Sequence, residues 1–342
     1  MRTPLALAAA ALALIVAEPA SGERIYWGAR MAGNVYGTGD APFDWRSVTA
    51  FRDSTGKEPS IVHFYSPFAR DCSRSRCDFR TFNTTVFERV RRHGMIPMLT
   101  WSAASSPISR EQPRFQNVDI IGGRYDRYIR RWARAAKAWG HPFLLRFNRE
   151  MNGRWYPWSP GVNGNTPADF VAAWRHVHRI FADVGVRNAT WVWCPNVDPS
   201  GELTPFRKVY PGHRFVNWTC LDGYNFGRPW RSFGTTFRRS YKVVARQLAP
   251  RKPMIIGEVA STESGGSKAS WIADMLRTQL RRNYPRIEGF LWFNSTLDGF
   301  DWPIESSIGS QRAFRDGIAV QYYAPASRAF SRIRSAKVRP VP

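Results

Sequence analysis

The chain has 342 residues, of which 43% are hydrophobic and 14% aromatic, including 15 Trp. This composition is ample for burying a full core. The formal net charge of +24 raises nucleic acid as a partner, but the cations are dispersed along helix-like segments and no nucleic-acid motif accompanies them. We therefore predict no nucleic-acid partner, and we interpret the charge as a solvated basic surface that could adhere to acidic polymers.

The first residues have the pattern of a secretory signal peptide. Arg2 gives a basic start, Leu5 to Ala17 form an apolar run too short to span a bilayer, and small residues follow up to Gly22. We predict a signal peptide at 1–22 and a secreted mature domain at 23–342. No later segment of the sequence is apolar and long enough to cross a membrane.

Four cysteines fit an oxidising compartment. Cys72 and Cys77 lie close together in a polar segment, and their spacing predicts a small disulfide-closed ring. Cys194 and Cys220 lie in apolar, strand-like segments and are either two buried thiols or a second bridge. No His lies near either pair with ligand spacing, so we predict no zinc site and no other metal or cofactor.

Eight short β-rich runs alternate with amphipathic helical patterns along the chain. The predicted strands are 24–30, 61–66, 95–102, 142–148, 189–196, 220–226, 253–260 and 289–294. The clearest predicted helices are 125–139, 167–184 and 268–284. This alternation implies parallel strands joined by right-handed crossovers, and eight such units predict an α/β fold, a single-domain (β/α)₈ TIM barrel. A doubly wound sheet is the alternative, but the glycine-rich phosphate turn that usually marks it is absent.

Two glutamates stand at predicted strand ends, where the chemistry of TIM barrels is located. Glu150 follows the fourth strand and Glu258 lies at the end of the seventh, so their side chains can face each other across the barrel mouth. Glycoside hydrolysis requires such a pair, one to protonate the leaving oxygen and one to attack or to activate water. Salt bridges to Arg146 and Arg149 are the competing structural interpretation, and a Glu150/Asp198 pair is the rival catalytic assignment.

Aromatic residues at strand ends and in the loop after Glu150 predict an open cleft rather than core alone. Their rings offer flat apolar area to the C–H faces of sugars, and their polar tips can hydrogen-bond. These residues are Trp101, Trp155, Tyr156, Trp158 and Trp292.

Tyr224 ends the sixth predicted strand, next to the strand that bears Glu258. Its hydroxyl can hydrogen-bond the Glu258 carboxylate, which would keep that group ionised and oriented. Ser105 and Ser106 lack a G-x-S-x-G context, which argues against an esterase.

Three segments together resemble glycoside hydrolase family 26. Residues 146–158 are similar to the family's acid/base motif, residues 220–227 to its sixth-strand signature, and the residues around Glu258 to its nucleophile strand. The resemblance runs from about Trp27 to Phe314. It implies a retaining hydrolase with Glu150 as acid/base and Glu258 as nucleophile.

The resemblance also implies that Tyr224 orients the nucleophile and that Trp155 forms a wall of the sugar site. It makes mannan the first expected substrate, with mixed-linkage β-glucan or β-1,3-xylan as alternatives, and a catalytically silent glycan-binding barrel as an alternative of another class. We expect a monomer whose partner is the polysaccharide. The predicted substrate-binding residues are Arg146, Arg149, Trp101, Trp155, Tyr156, Trp158, Asn225 and Trp292.

One position departs from the family pattern. Arg149 stands where family members usually have His, immediately before the acid/base glutamate. As a permanent cation it could donate to a sugar hydroxyl, and it is expected to depress the pKa of Glu150.

Overall fold

A computed structural model describes residues 24–73, 76–330, 333 and 336–341. The predicted signal peptide at 1–22 lies outside these residues, so the division into a signal peptide and a catalytic domain at 23–342 stays a prediction. Within the described ranges, no helix combines the length and the apolar character needed to cross a membrane.

Eight parallel strands close into a barrel, which confirms the predicted (β/α)₈ architecture. They are β1 (Tyr26–Met31), β2 (Ile61–Cys72), β4 (Ile96–Ser105), β5 (Phe143–Phe147), β6 (Ala189–Trp193), β7 (Trp218–Asn225), β8 (Met254–Ser261) and β9 (Ile287–Asn294). The order around the sheet is β1-β9-β8-β7-β6-β5-β4-β2, and pairing of β1 with β2 closes the ring. A short strand that the sequence did not predict, β3 (Cys77–Phe79), pairs antiparallel with the end of β2.

Helices cover the outside of the barrel. They are α1 (Gly33–Tyr36), α2 (Trp45–Thr55), α3 (Thr84–Arg92), α4 (Asn117–Ile121), α5 (Asp126–Trp139), α6 (Pro167–Val184), α7 (Phe206–Val209), α8 (Phe233–Lys242), α9 (Lys268–Asp274), α10 (Ile308–Ile318) and α11 (Ala326–Ala329). The start of α6 shows why the sequence pattern predicted it so well. Thr166 and Asp169 form a reciprocal capping box, and Pro167 occupies the first turn. The predicted helix 268–284 is α9 followed by a π-helical segment, Met275–Asn283.

Alternate residues of each strand serve two different cores, because successive side chains of a strand point to opposite faces. Met98, Leu144 and Leu291 belong to a cluster inside the barrel. Leu99 and Trp292 belong to the larger cluster between the barrel and its helices. This alternation decides which strand-end residues reach the mouth.

The C-terminal segment covers the inner cluster at the end of the barrel where the strands begin. Val338 and Val341 pack against it, and Trp218 at the start of β7 donates its indole N–H to the carbonyl of Val338 at 3.0 Å. Lys337 donates from Nζ to Asn217 Oδ1 at 2.9 Å. This end of the barrel is therefore sealed by the chain itself.

The same region joins the last part of the chain to the first strand. The amide of Ile25 donates to the carbonyl of Tyr322, and the amide of Ala324 donates to the carbonyl of Ile25, each at 2.9 Å. Ile25 and Tyr323 form a parallel bridge.

Both cysteine pairs are disulfide-bonded. The predicted Cys72–Cys77 bridge is confirmed, and it closes the turn between β2 and β3. Cys194 and Cys220 form the second bridge, which resolves the alternative that the sequence left open.

Candidate active site

A cavity of about 700 Å³ opens at the end of the barrel where the strands finish. Glu150 and Glu258 both line it, so the fold brings the two predicted carboxylates together. One carboxylate oxygen of Glu150 lies within 4.8 Å of one of Glu258. The other lining side chains used below are Tyr65, Arg149, Trp155, Tyr156, Asn196, Tyr224, Phe226 and Trp302.

The backbone turns sharply where β5 ends, and this turn aims Glu150. Asn148 and Glu150 have φ of 42° and 53°, in the left-handed region that residues with a side chain rarely occupy. Hydrogen bonds hold the turn: the amide of Asn148 donates to the carbonyl of Trp101 at 3.1 Å, and the amide of Glu150 to that of Cys194 at 2.7 Å. Backbone strain of this kind concentrates at functional sites.

Three hydrogen-bond donors and a further guanidinium surround the carboxylate of Glu258. Oε1 accepts a hydrogen bond from the Tyr65 hydroxyl at 2.6 Å and another from Arg146 Nη2, and Arg149 Nε lies 3.3 Å from the same atom. Oε2 accepts from the Tyr224 hydroxyl. The predicted contact between Tyr224 and Glu258 is therefore present, and Tyr65 adds a second tyrosine that the sequence did not single out.

Arg146 links Glu258 to a second carboxylate deeper in the barrel. Its Nη1 donates to both oxygens of Asp222, at 2.8 and 2.9 Å, while its Nε donates to Thr100 Oγ1 at 2.6 Å. A glycine makes room for this pair, because a Cβ on Gly257 would lie 2.6 Å from Asp222 Oδ1 and 2.7 Å from Arg146 Nη1. Arg146 is fully buried, so the prediction that it binds substrate directly is wrong; it acts on Glu258 from below.

Glu150 is held by two neutral donors. Trp155 Nε1 donates to its Oε2 at 2.6 Å, and Asn196 Nδ2 donates to its Oε1 at 3.0 Å. Asn152 in turn fixes Asn196, because its side-chain amide bonds both the N–H and the carbonyl of that residue, at 2.8 and 2.9 Å. Asn196 lies just past β6 and was missed because an asparagine after a strand is also an ordinary turn residue.

The two glutamates are pushed toward opposite protonation states. Burial, together with the negative charge of Glu258, raises the pKa of Glu150. Burial also opposes the charge on Glu258, but the guanidinium groups of Arg146 and Arg149 outweigh it and hold the pKa of Glu258 well below its ordinary value. Arg149 does lower the pKa of Glu150, as the sequence suggested, but burial and Glu258 have the larger effect.

Arg149 lies between two aromatic rings. Its guanidinium carbon is 4.7 Å from the centroid of the Tyr65 ring and 4.6 Å from that of Tyr156, and Nη2 donates to the Tyr156 hydroxyl at 2.5 Å. Its Nε and Nη1 atoms are buried and have no hydrogen-bond acceptor among the described residues. The main contribution of the guanidinium is therefore its positive charge next to Glu258. It offers few hydrogen-bond donors to a molecule in the cavity.

The predicted aromatic residues divide into two groups. Trp155 and Tyr156 line the cavity as predicted. Trp158 lies beneath them, fully buried, where it stacks on Tyr156 at 4.6 Å and donates to the carbonyl of Arg149 at 2.8 Å. Instead of the predicted contact with substrate, Trp158 supports the ring of Tyr156 and the backbone of Arg149.

Trp101, Trp292 and Asn225 do not line the cavity, and their predicted substrate contacts are wrong. Trp101 points outward from β4 and stacks on Trp132 of α5 at 4.5 Å. Trp292 also points outward, and its indole N–H donates to the carbonyl of Trp302 at 2.9 Å. Asn225 is buried and shapes the loop after β7, where its Oδ1 accepts from the amide of Arg231 at 2.9 Å.

Trp302 and Phe226, which the sequence did not single out, line the cavity beside Tyr224. The Trp302 ring lies 5.3 Å from that of Tyr224 and 5.4 Å from that of Phe226. Lys268 fixes this loop, because its buried Nζ donates to the carbonyls of Asp301, Trp302 and Pro303, at 2.5, 3.2 and 2.7 Å. Both aromatic residues stand in irregular loops, where no strand pattern marks them.

Asp198, the rival catalytic residue, lies outside the cavity. It accepts hydrogen bonds from the amides of Gly201 and Glu202, at 2.7 and 3.0 Å, and so caps a turn. The carboxylates of Glu150, Asp222 and Glu258 are close enough to share a cation. Arg146 already supplies positive charge between the last two, so the donor set is arranged for a guanidinium.

A parallel eight-stranded barrel with two opposed glutamates at the carboxyl ends of its strands is typical of the TIM-barrel glycoside hydrolases. The sequence profile of glycosyl hydrolase family 26 matches residues 109–246. Within this range the chain is similar to members of glycosyl hydrolase family 26.

Known proteins similar to the chain include two curated relatives and many solved barrels. Endoglucanase H of Acetivibrio thermocellus is 34% identical over 280 residues, which cover 80% of this chain and 29% of that protein. The mannan endo-1,4-beta-mannosidase of Bacillus subtilis is 23% identical over 297 residues, covering 78% of this chain and 75% of the relative. The catalytic domain of the Bacillus sp. JAMB-750 endo-beta-1,4-mannanase has the same fold, with a TM-score of 0.66, 16% identity, and coverage of 92% and 91% of the two chains. The chain thus spans under a third of the length of Endoglucanase H.

Proposed function

We propose that the chain is a secreted retaining glycoside hydrolase that cleaves a β-linked polysaccharide within the polymer, with mannan as the first substrate. The observation that carries the proposal is the pairing of a carboxyl whose pKa is raised with a carboxylate whose pKa is lowered, in one cavity, with oxygens within 4.8 Å of each other. A separation of roughly 5 to 5.5 Å between carboxyl groups suits a direct attack on the sugar, whereas inverting enzymes leave room for a water. The two disulfides are consistent with export.

In the first step, Glu150 protonates the glycosidic oxygen while Glu258 attacks the anomeric carbon. The C–O bond to the leaving sugar breaks, and a covalent glycosyl–enzyme ester forms. Oε1 of Glu258 already faces Tyr65, Arg146 and Arg149, whereas Oε2 accepts a hydrogen bond from Tyr224 alone among the residues that the structure describes. Oε2 therefore has the lone pair available for attack.

In the second step, Glu150 acts as a base. Formation of the ester removes the negative charge of Glu258, which had helped to raise the pKa of Glu150. The pKa of Glu150 then falls, so the carboxylate can take a proton from the incoming water. Water attacks the anomeric carbon and releases Glu258. Trp155 and Asn196 keep Glu150 oriented through both steps, because they donate to either protonation state.

Mixed-linkage or β-1,4-linked glucan is the second candidate substrate, and one comparison favours it. The relative with the highest identity among those described above is named an endoglucanase, at 34%. One sequence relative of lower identity is named a mannosidase, and one structural relative of lower identity is named a mannanase. Mannan remains the first candidate substrate because the chain covers most of the length of the two relatives whose names include mannan or mannanase.

The test is release of reducing sugar from mannan, glucomannan, barley β-glucan, β-1,3-xylan and xylan, with Glu258→Ala and Asp198→Ala beside the unaltered protein. We expect hydrolysis of one polymer, loss of at least about a thousandfold with Glu258→Ala, and little change with Asp198→Ala. Glu150→Ala should spare aryl glycosides with good leaving groups in the first step. If the folded protein is retarded in an affinity gel that contains mannan or glucan but hydrolyses none of the five polymers, the proposal of a hydrolase is wrong. The chain would then be a glycan-binding barrel.

A further inference from the structure

The exposed side of helix α5 carries a dense row of cations. Within this 14-residue helix, four arginines and one lysine point away from the barrel, while Tyr128, Ile129 and Trp132 face the core. We call this row the α5 cationic face; it consists of Arg127, Arg130, Arg131, Arg134 and Lys137. None of its members lines the active-site cavity.

The cations of this face are mostly uncompensated. Arg130 lies 3.7 Å from Asp126, but that carboxylate also accepts a hydrogen bond from His176 at 2.7 Å. No carboxylate among the described residues pairs with Arg127, Arg131 or Arg134. Helix α3 shows the contrast, because its last-turn arginines pair with Glu88.

The arrangement is unfavourable for the helix by itself. Arg127 and Arg131, like Arg130 and Arg134, are spaced i and i+4, where like charges repel by about 0.2 to 0.5 kcal/mol per pair. Arg127 stands in the first turn, where the helix dipole also disfavours a cation. A bound polyanion would relieve both effects.

A groove lies beside this row, between α5 and the end of α6. Its volume is about 620 Å³, and Arg130, Arg134, Lys137 and Asp183 line it. Three of these four groups are cations, so the groove extends the positive surface inward and suits an extended chain with repeated negative charges.

We propose that the α5 cationic face binds an acidic polysaccharide with repeating carboxylates, and that it holds the protein near the neutral glycan cleaved in the cavity. The face has no exposed aromatic ring on which nucleic-acid bases could stack, since Tyr128, Trp132 and Trp139 are buried. The choice of a polysaccharide rests on the proposed function, because acidic and neutral glycans occur together in the same matrices.

The test measures retention of the protein on immobilised polygalacturonate in rising NaCl. The variant Arg127→Gln/Arg131→Gln/Arg134→Gln is compared with Arg246→Gln/Arg251→Gln/Arg282→Gln, which removes three exposed arginines elsewhere and gives the same net charge. We expect affinity at least about tenfold weaker for the first variant and nearly unchanged for the second. Hydrolysis of soluble neutral substrate should be equal in all three proteins.

Three outcomes would overturn the proposal. If retention on polygalacturonate weakened equally in both variants, binding would depend on the overall charge and not on the α5 cationic face. If the unaltered protein were not retained at all, the face would have no role in binding this polymer. Stronger retention on immobilised duplex DNA than on polygalacturonate would assign it to another class of polymer. The assay does not depend on turnover, so its failure is distinguishable from failure of the proposed hydrolase activity.

Discussion

Arg146 donates to Asp222 from one terminal nitrogen and to Glu258 from the other, so a single guanidinium bridges two carboxyl groups inside the barrel. All three side chains are almost completely removed from solvent. A buried ion pair is a weak source of net stability, but removing one partner leaves an unpaired charge in a medium of low polarity. The position of the Glu258 carboxylate therefore depends on Asp222, which does not line the cavity.

Asp222→Asn tests this dependence. The substitution keeps the shape of the side chain but replaces one of the oxygens that accept from Arg146 with an amide NH2, while Glu258 stays paired with Arg146. We therefore expect a loss of about 1 to 3 kcal/mol in the free energy of unfolding. Urea unfolding measures it, with Asp198→Asn as a matched control in an outer turn. If Asp222→Asn were no more destabilising than Asp198→Asn, the proposed role of the buried pair would be wrong.

Gly153 makes room for the ring that orients Glu150. A Cβ at this position would lie 2.4 Å from Trp155 Cζ2, so Gly153→Ala must displace the indole that donates to Glu150. We expect kcat/KM to fall about tenfold to a hundredfold with little loss of stability. Gly309→Ala is the control, because its Cβ meets its nearest neighbour at an ordinary 3.7 Å. Equal kcat/KM in both variants would show that the Trp155 contact is dispensable.

Arg149 should set the alkaline limit of activity. In the proposed mechanism Glu150 acts as an acid only while it is protonated, so kcat/KM should fall as the pH rises through its pKa. Because the Arg149 cation lowers that pKa, Arg149→Gln should raise it and move the alkaline limb to higher pH. Arg154→Gln, in the same loop, should leave the limb in place. A limb that stayed fixed or moved downward in Arg149→Gln would contradict the assignment.

Lys268 should act on substrate binding through the loop that carries Trp302. Loss of its amine in Lys268→Met removes three hydrogen bonds to loop carbonyls, so we expect the loop to loosen and KM to rise several-fold more than kcat falls. Lys337→Met removes a similar amine-to-carbonyl contact at the sealed end of the barrel, and there KM should not change. If Lys268 had only a structural role, Lys268→Met would lower the free energy of unfolding and leave KM unchanged.

The sequence was sufficient to predict the strands and to place Glu150 and Glu258 at the same end of the barrel. All eight strands were predicted within a few residues at most ends, and the strand-end rule selected Glu150 and Glu258 from the acidic residues. It failed where the direction of a side chain mattered. Thr100 and Arg146 point into the barrel, so Trp101, one residue along, must point out, and the same alternation turns Trp292 outward.

Contacts between distant loops could not be predicted in the same way. Asn196 and Trp302 reach the cavity through irregular backbone, whose course depends on packing that no local pattern encodes. Tyr65 lies on a predicted strand, and its distance along the chain from Glu258 hid their hydrogen bond.

The hydrogen bonds that Ile25 makes with Tyr322 and Ala324 have a mechanical consequence. β1 completes the ring between β9 and β2, so releasing the residues near 323 would free the strand that holds the ring shut. Ile25 and residues 322–324 therefore cannot separate without loosening the start of β1 at the seam of the barrel. Unfolding by heat or denaturant should therefore be a single cooperative transition, in which the barrel opens and Glu150 and Glu258 separate at the same time.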